Sequence, residues 1–203
     1  MLDEAREFLS HVPLHDYKVV IVPPQQILHQ LHGLQNEMMG LSGMETVSVT
    51  VPQFILANFR QIGQLEKRMT ERIRLICLSL PSIHIRLHAY DHFAQHSIFI
   101  HAQAEPPLKD FVSRLRQEAA KLFKAGKEQP HFMSEPHITL VRKMSHEQFD
   151  KAWKVFSHRS FTARFTAHQA FLLRRTAADP HFKVIAQFQF ENLPIAVEQG
   201  TLF

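Results

Sequence analysis

The chain holds a single cysteine, Cys77, among 203 residues. That excludes an intramolecular disulfide framework and fits a reducing compartment. Cys77 lies in the apolar run Ile76-Cys77-Leu78, which marks it for packing rather than thiol chemistry. No apolar run approaches the ~20 residues that a membrane-spanning helix needs. The first residues, Met1-Leu2-Asp3-Glu4-Ala5-Arg6, lack the basic, apolar and small-residue pattern of a signal peptide. No Gly- or Ser-rich stretch divides the chain. One cytoplasmic domain over residues 1–203 is therefore expected, made of two intertwined lobes, with 191–203 as a flexible tail.

Charge is also modest. The net value is +4 with histidine neutral, too low for an obligate duplex-DNA binder. It favours an anionic ligand such as RNA or a nucleotide. Hydrophobic residues, at 45%, suffice for a substantial core. Histidine is abundant, with 15 copies, but most are scattered and read as surface residues.

Periodicity gives the element order. Tyr17–Val22 is apolar and β-branched, and Pro23-Pro24 halts it. Leu28, Leu31, Leu34 and Met38 then recur at helical spacing, with Gly40 and Gly43 as the stop. A strand is expected at Thr46–Val51. Ile62, Leu65, Met69, Ile73 and Ile76 mark a second helix. Two alternating segments around Ile83–His88 and His96–His101 read as a hairpin. Leu108, Phe111, Val112, Leu115, Ala119, Leu122 and Phe123 form the stripe of a third helix. Ser145-His146-Glu147-Gln148 resembles a capping box opening a fourth. Strands near 160–166, 169–174 and 182–190 complete an α+β order with eight strands and four helices.

The most informative stretch is Glu135-Pro136-His137-Ile138-Thr139-Leu140-Val141-Arg142. On a strand, alternate side chains share a face. His137 and Thr139 then point one way, and Ile138 and Leu140 the other. An imidazole moves protons near neutral pH, and a hydroxyl holds a phosphate oxygen. Upstream, Ser48-Val49-Thr50-Val51 aligns with this stretch at Thr50, with Ser48 where a histidine would stand.

At these residues the chain resembles the 2H phosphoesterase superfamily, within it the bacterial 2′-5′ RNA ligase and cyclic phosphodiesterase group. That family carries one His-x-Thr/Ser-x motif in each lobe. Pro136-His137-Ile138-Thr139-Leu140 matches the second motif, with Arg142 following, and Ser48-Val49-Thr50-Val51 stands as a degenerate first motif. The resemblance implies a bilobal α+β fold of two pseudo-symmetric antiparallel sheets with outer helices around a central cleft. It implies a reaction on RNA ends or cyclic nucleotides without metal or cofactor, with two histidines exchanging protons across one phosphodiester. His137 and Thr139 would be catalytic, and Thr50, Ser48 and Arg142 would bind phosphate. Serine cannot replace a histidine as acid or base, so a weak enzyme or a nucleotide-binding pseudoenzyme is expected. His96 is the first candidate to compensate, with His84 and His88 behind it. Lys143, Arg174, Arg175, Lys183 and Gln187 read equally as cleft or as solvated surface.

A second signal closes the chain. Gln199-Gly200-Thr201-Leu202-Phe203 resembles the Gln-x-x-Leu-Phe peptides that dock on the bacterial DNA sliding clamp. Two apolar anchors on a tail suit a hydrophobic pocket. A tail packed on its own domain is the competing reading.

Overall fold

The computed structural model describes residues 13–43, 48–118, 122–123 and 129–194. The clamp-like residues Gln199, Leu202 and Phe203 lie outside them. Among the described residues no helix is long and apolar enough to cross a membrane.

The chain runs β1 (Leu14–Ile21), α1 (Gln25–Ser42), β2 (Ser48–Val49), β3 (Phe54–Ile62), α2 (Glu66–Leu78), β4 (Ile83–Phe93), β5 (Ser97–Ala104), α3 (Pro106–Glu118), β6 (His131–Phe132), β7 (His137–Arg142), α4 (His146–Phe156), β8 (Thr162–Ala167), β9 (Gln169–Thr176) and β10 (Asp179–Gln189). The strands form two antiparallel sheets. Sheet A has the order β10-β9-β1-β3-β6, and sheet B the order β8-β4-β5-β7-β2. The two orders superpose strand for strand: β1 corresponds to β5, β3 to β7, β9 to β4. The expected two-sheet α+β architecture is the observed one.

The halves exchange their short strands. β2 precedes β3 in sequence but pairs with β7, and β6 precedes β7 but pairs with β3. The helix after β1 also crosses, and the helix after β2 and β3 does not. α1 packs on α4 and β7, whereas α2 packs on β9, β10 and α3. The fully buried side chains, among them Tyr17, Phe54, Phe111, Phe123 and Phe156, belong to one continuous cluster.

Local signals explain most boundaries. α1 runs through Gly40 and ends at Gly43, whose φ of 61° is the left-handed conformation that glycine adopts without strain. The capping box of α4 is present: Gln148 N–H donates to Ser145 Oγ at 3.3 Å and Ser145 N–H to Gln148 Oε1 at 2.9 Å. Two strands escaped the sequence reading. β6 is only two residues long. β3 carries a bulge at Leu56, between the pairs Val20↔Ile55 and Val19↔Ala57, which breaks its alternation. Ile62, read as helical, is the last residue of this strand.

One buried side chain joins the halves. Gln35 of α1 is 1% exposed. Its amide donates to Leu140 O at 2.8 Å and to Thr50 O at 2.7 Å. Leucine at this position leaves both carbonyls without that donor. Gln35→Leu should lower the free energy of unfolding by about 1–3 kcal/mol, read from urea denaturation; an unchanged midpoint would count against this role.

Candidate functional site

β7 lays out the site through its own alternation. Ile138, Leu140 and Val141 are buried, and His137, Thr139 and Arg142 are not. Phe99 pairs with Thr139 and Ile98 with Val141, so Leu140 is an extra residue in the ladder. A one-residue insertion reverses the faces of the residues after it. It brings Arg142, five positions after His137, to the same open face. His137 Nδ1–H donates to Glu135 O at 2.9 Å. A carbonyl only accepts, so the proton sits on Nδ1 and the Nε2 lone pair is left for other use. The ring is held edge-on by Phe93 and tilted against Phe99, at centroid distances of 5.2 and 5.1 Å. Among the described residues, the Thr139 hydroxyl has no hydrogen-bond partner and Arg142 no carboxylate.

Sheet B extends this face. His137 lies opposite His101 of β5, His101 opposite His88 of β4, and His88 opposite Thr162 of β8. His101 Nε2 lies 2.8 Å from Asp91 Oδ2. Asp91 reaches this face because β4 bulges at Ala89, with φ 56°. The bulge turns Tyr90 and His92 back toward Phe156, Phe149 and Trp153. Burial works to raise the Asp91 carboxyl, but the His92 N–H and His101 outweigh it, and its pKa is lowered. No cluster of three or more His, Cys, Asp or Glu among the described residues is arranged to hold a metal ion.

The open face of sheet A is cationic and largely ion-paired. Asp16 of β1 binds Arg175 at 3.0 Å and Arg60 at 3.4 Å. Lys18 stands over the Phe182 ring at 4.0 Å, with Arg175 at 4.9 Å from the same ring. The Lys18 pKa is lowered, by burial first and then by Arg142 and Arg175. Arg142 belongs to sheet B, and its charge acts on Lys18 of sheet A.

The positions chosen from sequence fare unequally. His137 and Thr139 share one face, as alternation predicts, and the extra residue at Leu140 adds Arg142 to it. The expectation that Ser48 opposes His137 across the cleft is corrected. Ser48 pairs with Arg142 on the neighbouring strand of the same sheet, four ladder steps and so about 13 Å from His137 at ~3.3 Å per residue. Thr50 lies near β7, but its hydroxyl donates to the backbone carbonyls of Thr139 and Leu140. It holds the strand rather than facing a ligand. His96 is exposed in the β4–β5 turn, with its N–H on Phe93 O at 3.1 Å. His84 hydrogen-bonds Thr166 at 2.9 Å. Arg174 turns to Glu66 of α2, Lys183 to Asp179 and Gln187 to Gln169.

The true counterpart of the β7 motif is five residues further on. β3 occupies in sheet A the place of β7 in sheet B. Its bulge at Leu56 corresponds to the bulge at Leu140. Matching the bulges sets Pro52-Gln53-Phe54-Ile55-Leu56-Ala57-Asn58 beside Pro136-His137-Ile138-Thr139-Leu140-Val141-Arg142. Burial follows the same pattern: Phe54, Leu56 and Ala57 are buried, and Gln53, Ile55 and Asn58 are not. Gln53 thus stands for His137, Ile55 for Thr139 and Asn58 for Arg142. The shared Pro-x-x-x-Leu frame was the sequence signal for this repeat. His101 and Asp91 were also missed, because their pairing depends on the bulge at Ala89.

The sequence model described as the 2′-5′ RNA ligase superfamily matches residues 49–179, more than half of the chain. The chain belongs to that family. Among solved structures, Escherichia coli LigT complexed with 3′-AMP aligns at TM-score 0.63 and 14% identity, over 88% of this chain and 98% of LigT. The TT0787 protein of Thermus thermophilus aligns at TM-score 0.57 and 16% identity, over 87% and 98%. These likenesses define the fold. A comparison with curated proteins finds no match.

The meeting of Lys18, Arg142 and Arg175 has a measurable cost. Lys18→Met should raise the thermal midpoint at low salt and abolish the further rise that inorganic phosphate gives the wild type. An equal phosphate-induced rise in both proteins would remove Lys18 from the anion site.

Proposed function

We propose that this protein binds RNA ends or nucleotides bearing a terminal or 2′,3′-cyclic phosphate, and opens the cyclic ester slowly with one imidazole. The observation that carries the reading is His137, with Nδ1 fixed by Glu135 O and Nε2 left without a partner among the described residues, beside the Thr139 hydroxyl and Arg142. In this reading Nε2 takes the proton of the attacking water. Thr139 donates to a non-bridging phosphate oxygen, and Arg142, further along the same face of β7, adds positive charge that draws the anion in. The same geometry would serve the reverse joining of a 2′-5′ linkage. The crystallised complexes of LigT with 3′-AMP, phosphate and ATP support a nucleotide-sized anion as ligand. The setting is cytoplasmic.

The second proton carrier is the missing part. Gln53 offers an amide that can hold a phosphate oxygen but cannot protonate a leaving group. Absence of a general acid or base costs ~10²–10⁴-fold in rate. Gln53 also favours a second reading, a pseudoenzyme that binds without chemistry.

One assay separates them. With 2′,3′-cyclic AMP, the wild type should form product slowly and His137→Ala none. Gln53→His with Ile55→Thr should raise turnover about 10²-fold, whereas Ser48→His should not. Equal turnover by wild type and His137→Ala would remove His137 from the mechanism. Phosphate-competitive binding with no product over long incubation would establish the pseudoenzyme.

The tail reading is tested apart. Deleting residues 199–203 should abolish binding to a bacterial sliding clamp and leave the melting curve unchanged; undiminished clamp binding would dismiss it.

A further inference from the structure

The open face of sheet B continues beyond the histidine row into a region that the proposed chemistry does not use. There a pocket of about 610 Å³ is lined by His84, Arg86, Gln103, Glu105, Arg164 and Thr166, among others. Arg86 of β4 and Arg164 of β8 are direct cross-strand partners. Like charges directly opposite each other destabilise a sheet. Both side chains are exposed, and neither has a carboxylate partner among the described residues. Other arginines do find one: Arg72 with Glu118, Arg159 with Glu37, Arg174 with Glu66. Glu105 lines the pocket but pairs with neither arginine. His84 and Thr166, bonded at 2.9 Å, flank the pair on one side. Gln103 faces Arg86 from β5.

We infer that this pocket holds an internal phosphate of an RNA chain whose end lies at His137. Two guanidiniums set side by side without a counterion are relieved by an anion, and a phosphate accepts from both. The strand register gives the span. Two inter-strand steps from His137 to His88 are about 10 Å, and two residues along β4 to Arg86 about 7 Å, so the Cα positions of His137 and Arg86 are about 12 Å apart. One phosphate does not reach both. His101 and His88 lie between them on the same face. The substrate is then an oligonucleotide rather than a mononucleotide. The placement of the RNA end rests on the proposed function; the second phosphate site rests on Arg86 and Arg164 alone.

The test compares two probes on the full-length protein: 2′,3′-cyclic AMP and a short RNA ending in a 2′,3′-cyclic phosphate. The variant is Arg86→Gln with Arg164→Gln. The wild type should bind the RNA about tenfold or more tightly than the mononucleotide, the size of one charge-assisted contact. The double variant should lose that advantage and keep its mononucleotide affinity. Its plot of log affinity against log salt should flatten by about 0.7 per phosphate contact removed. Its melting temperature without ligand should match or exceed the wild type, because the repulsion is gone. Unchanged RNA affinity and salt slope would overturn the inference, as would an equal loss for both probes. If 2′,3′-cyclic AMP does not bind while the arginine variant still weakens RNA, the end site fails and the phosphate pocket stands.

Discussion

The carbonyl of Leu140 falls out of the ladder where β7 carries one residue more than β5. A backbone oxygen in that position needs a donor. It receives two, the Gln35 amide and the Thr50 hydroxyl, at 2.8 and 3.2 Å. The same hydroxyl binds Thr139 O, and the same amide binds Thr50 O. Three segments far apart in sequence meet at this point. The knot fixes the bulge, and the bulge decides which β7 side chains reach the open face. His137 and Thr139 reach it before the bulge, and Arg142 after it. The open face that carries His137, Thr139 and Arg142 therefore depends on a hydrogen-bonded contact in the core.

Bulges decide how far the fold could be read from sequence. Where alternation ran undisturbed, as in His84, Arg86 and His88 against Ile83, Ile85 and Leu87, the faces were legible. Helices were legible too, since caps and periodicity agree in α1 and α4. Strands with an inserted residue were not. β3 was passed over because Leu56 interrupts it. In β10 the register shifts between Val184 and Ala186. Val184 is left 59% exposed, while Phe188 and Phe190 enter the core, Phe190 against Phe111, so one apparent stripe serves two faces. Sequence carries the period but not the point at which it slips.

The site divides along the same line. The strand of His137 and Thr139 has no ambiguity of parity, and its reading survives in the structure. The upstream motif was sought in a β-branched segment with a hydroxyl, and Ser48 to Thr50 offered both. That segment is the exchanged strand β2, bound to the edge of the wrong sheet to oppose His137. The matching strand carries Ile55, with Gln53 just before it, side chains too unlike Thr and His to be found by residue type. Only the common bulge and the flanking proline and leucine reveal the correspondence.

Comparing the halves at one level gives the chemical sense of the arrangement. On β7 the third open-face residue is Arg142, and its β5 partner is Ser97. On β3 the equivalent is Asn58, and its β1 partner is Lys18. Each sheet thus presents one long cation at this height, but on different strands of the pair. Burial first, and then the charge of Arg142, lowers the Lys18 pKa. Proton transfer is another matter: it needs an imidazole at a defined place, and Gln53 cannot titrate. Positive charge is a loose requirement that a neighbouring strand satisfies equally well, because Coulomb attraction has no preferred angle. Acid–base chemistry is a strict requirement, because a proton moves only along a hydrogen bond of fixed reach. In the proposed reading, anion holding therefore draws on both sheets, and proton transfer on sheet B alone among the matched positions.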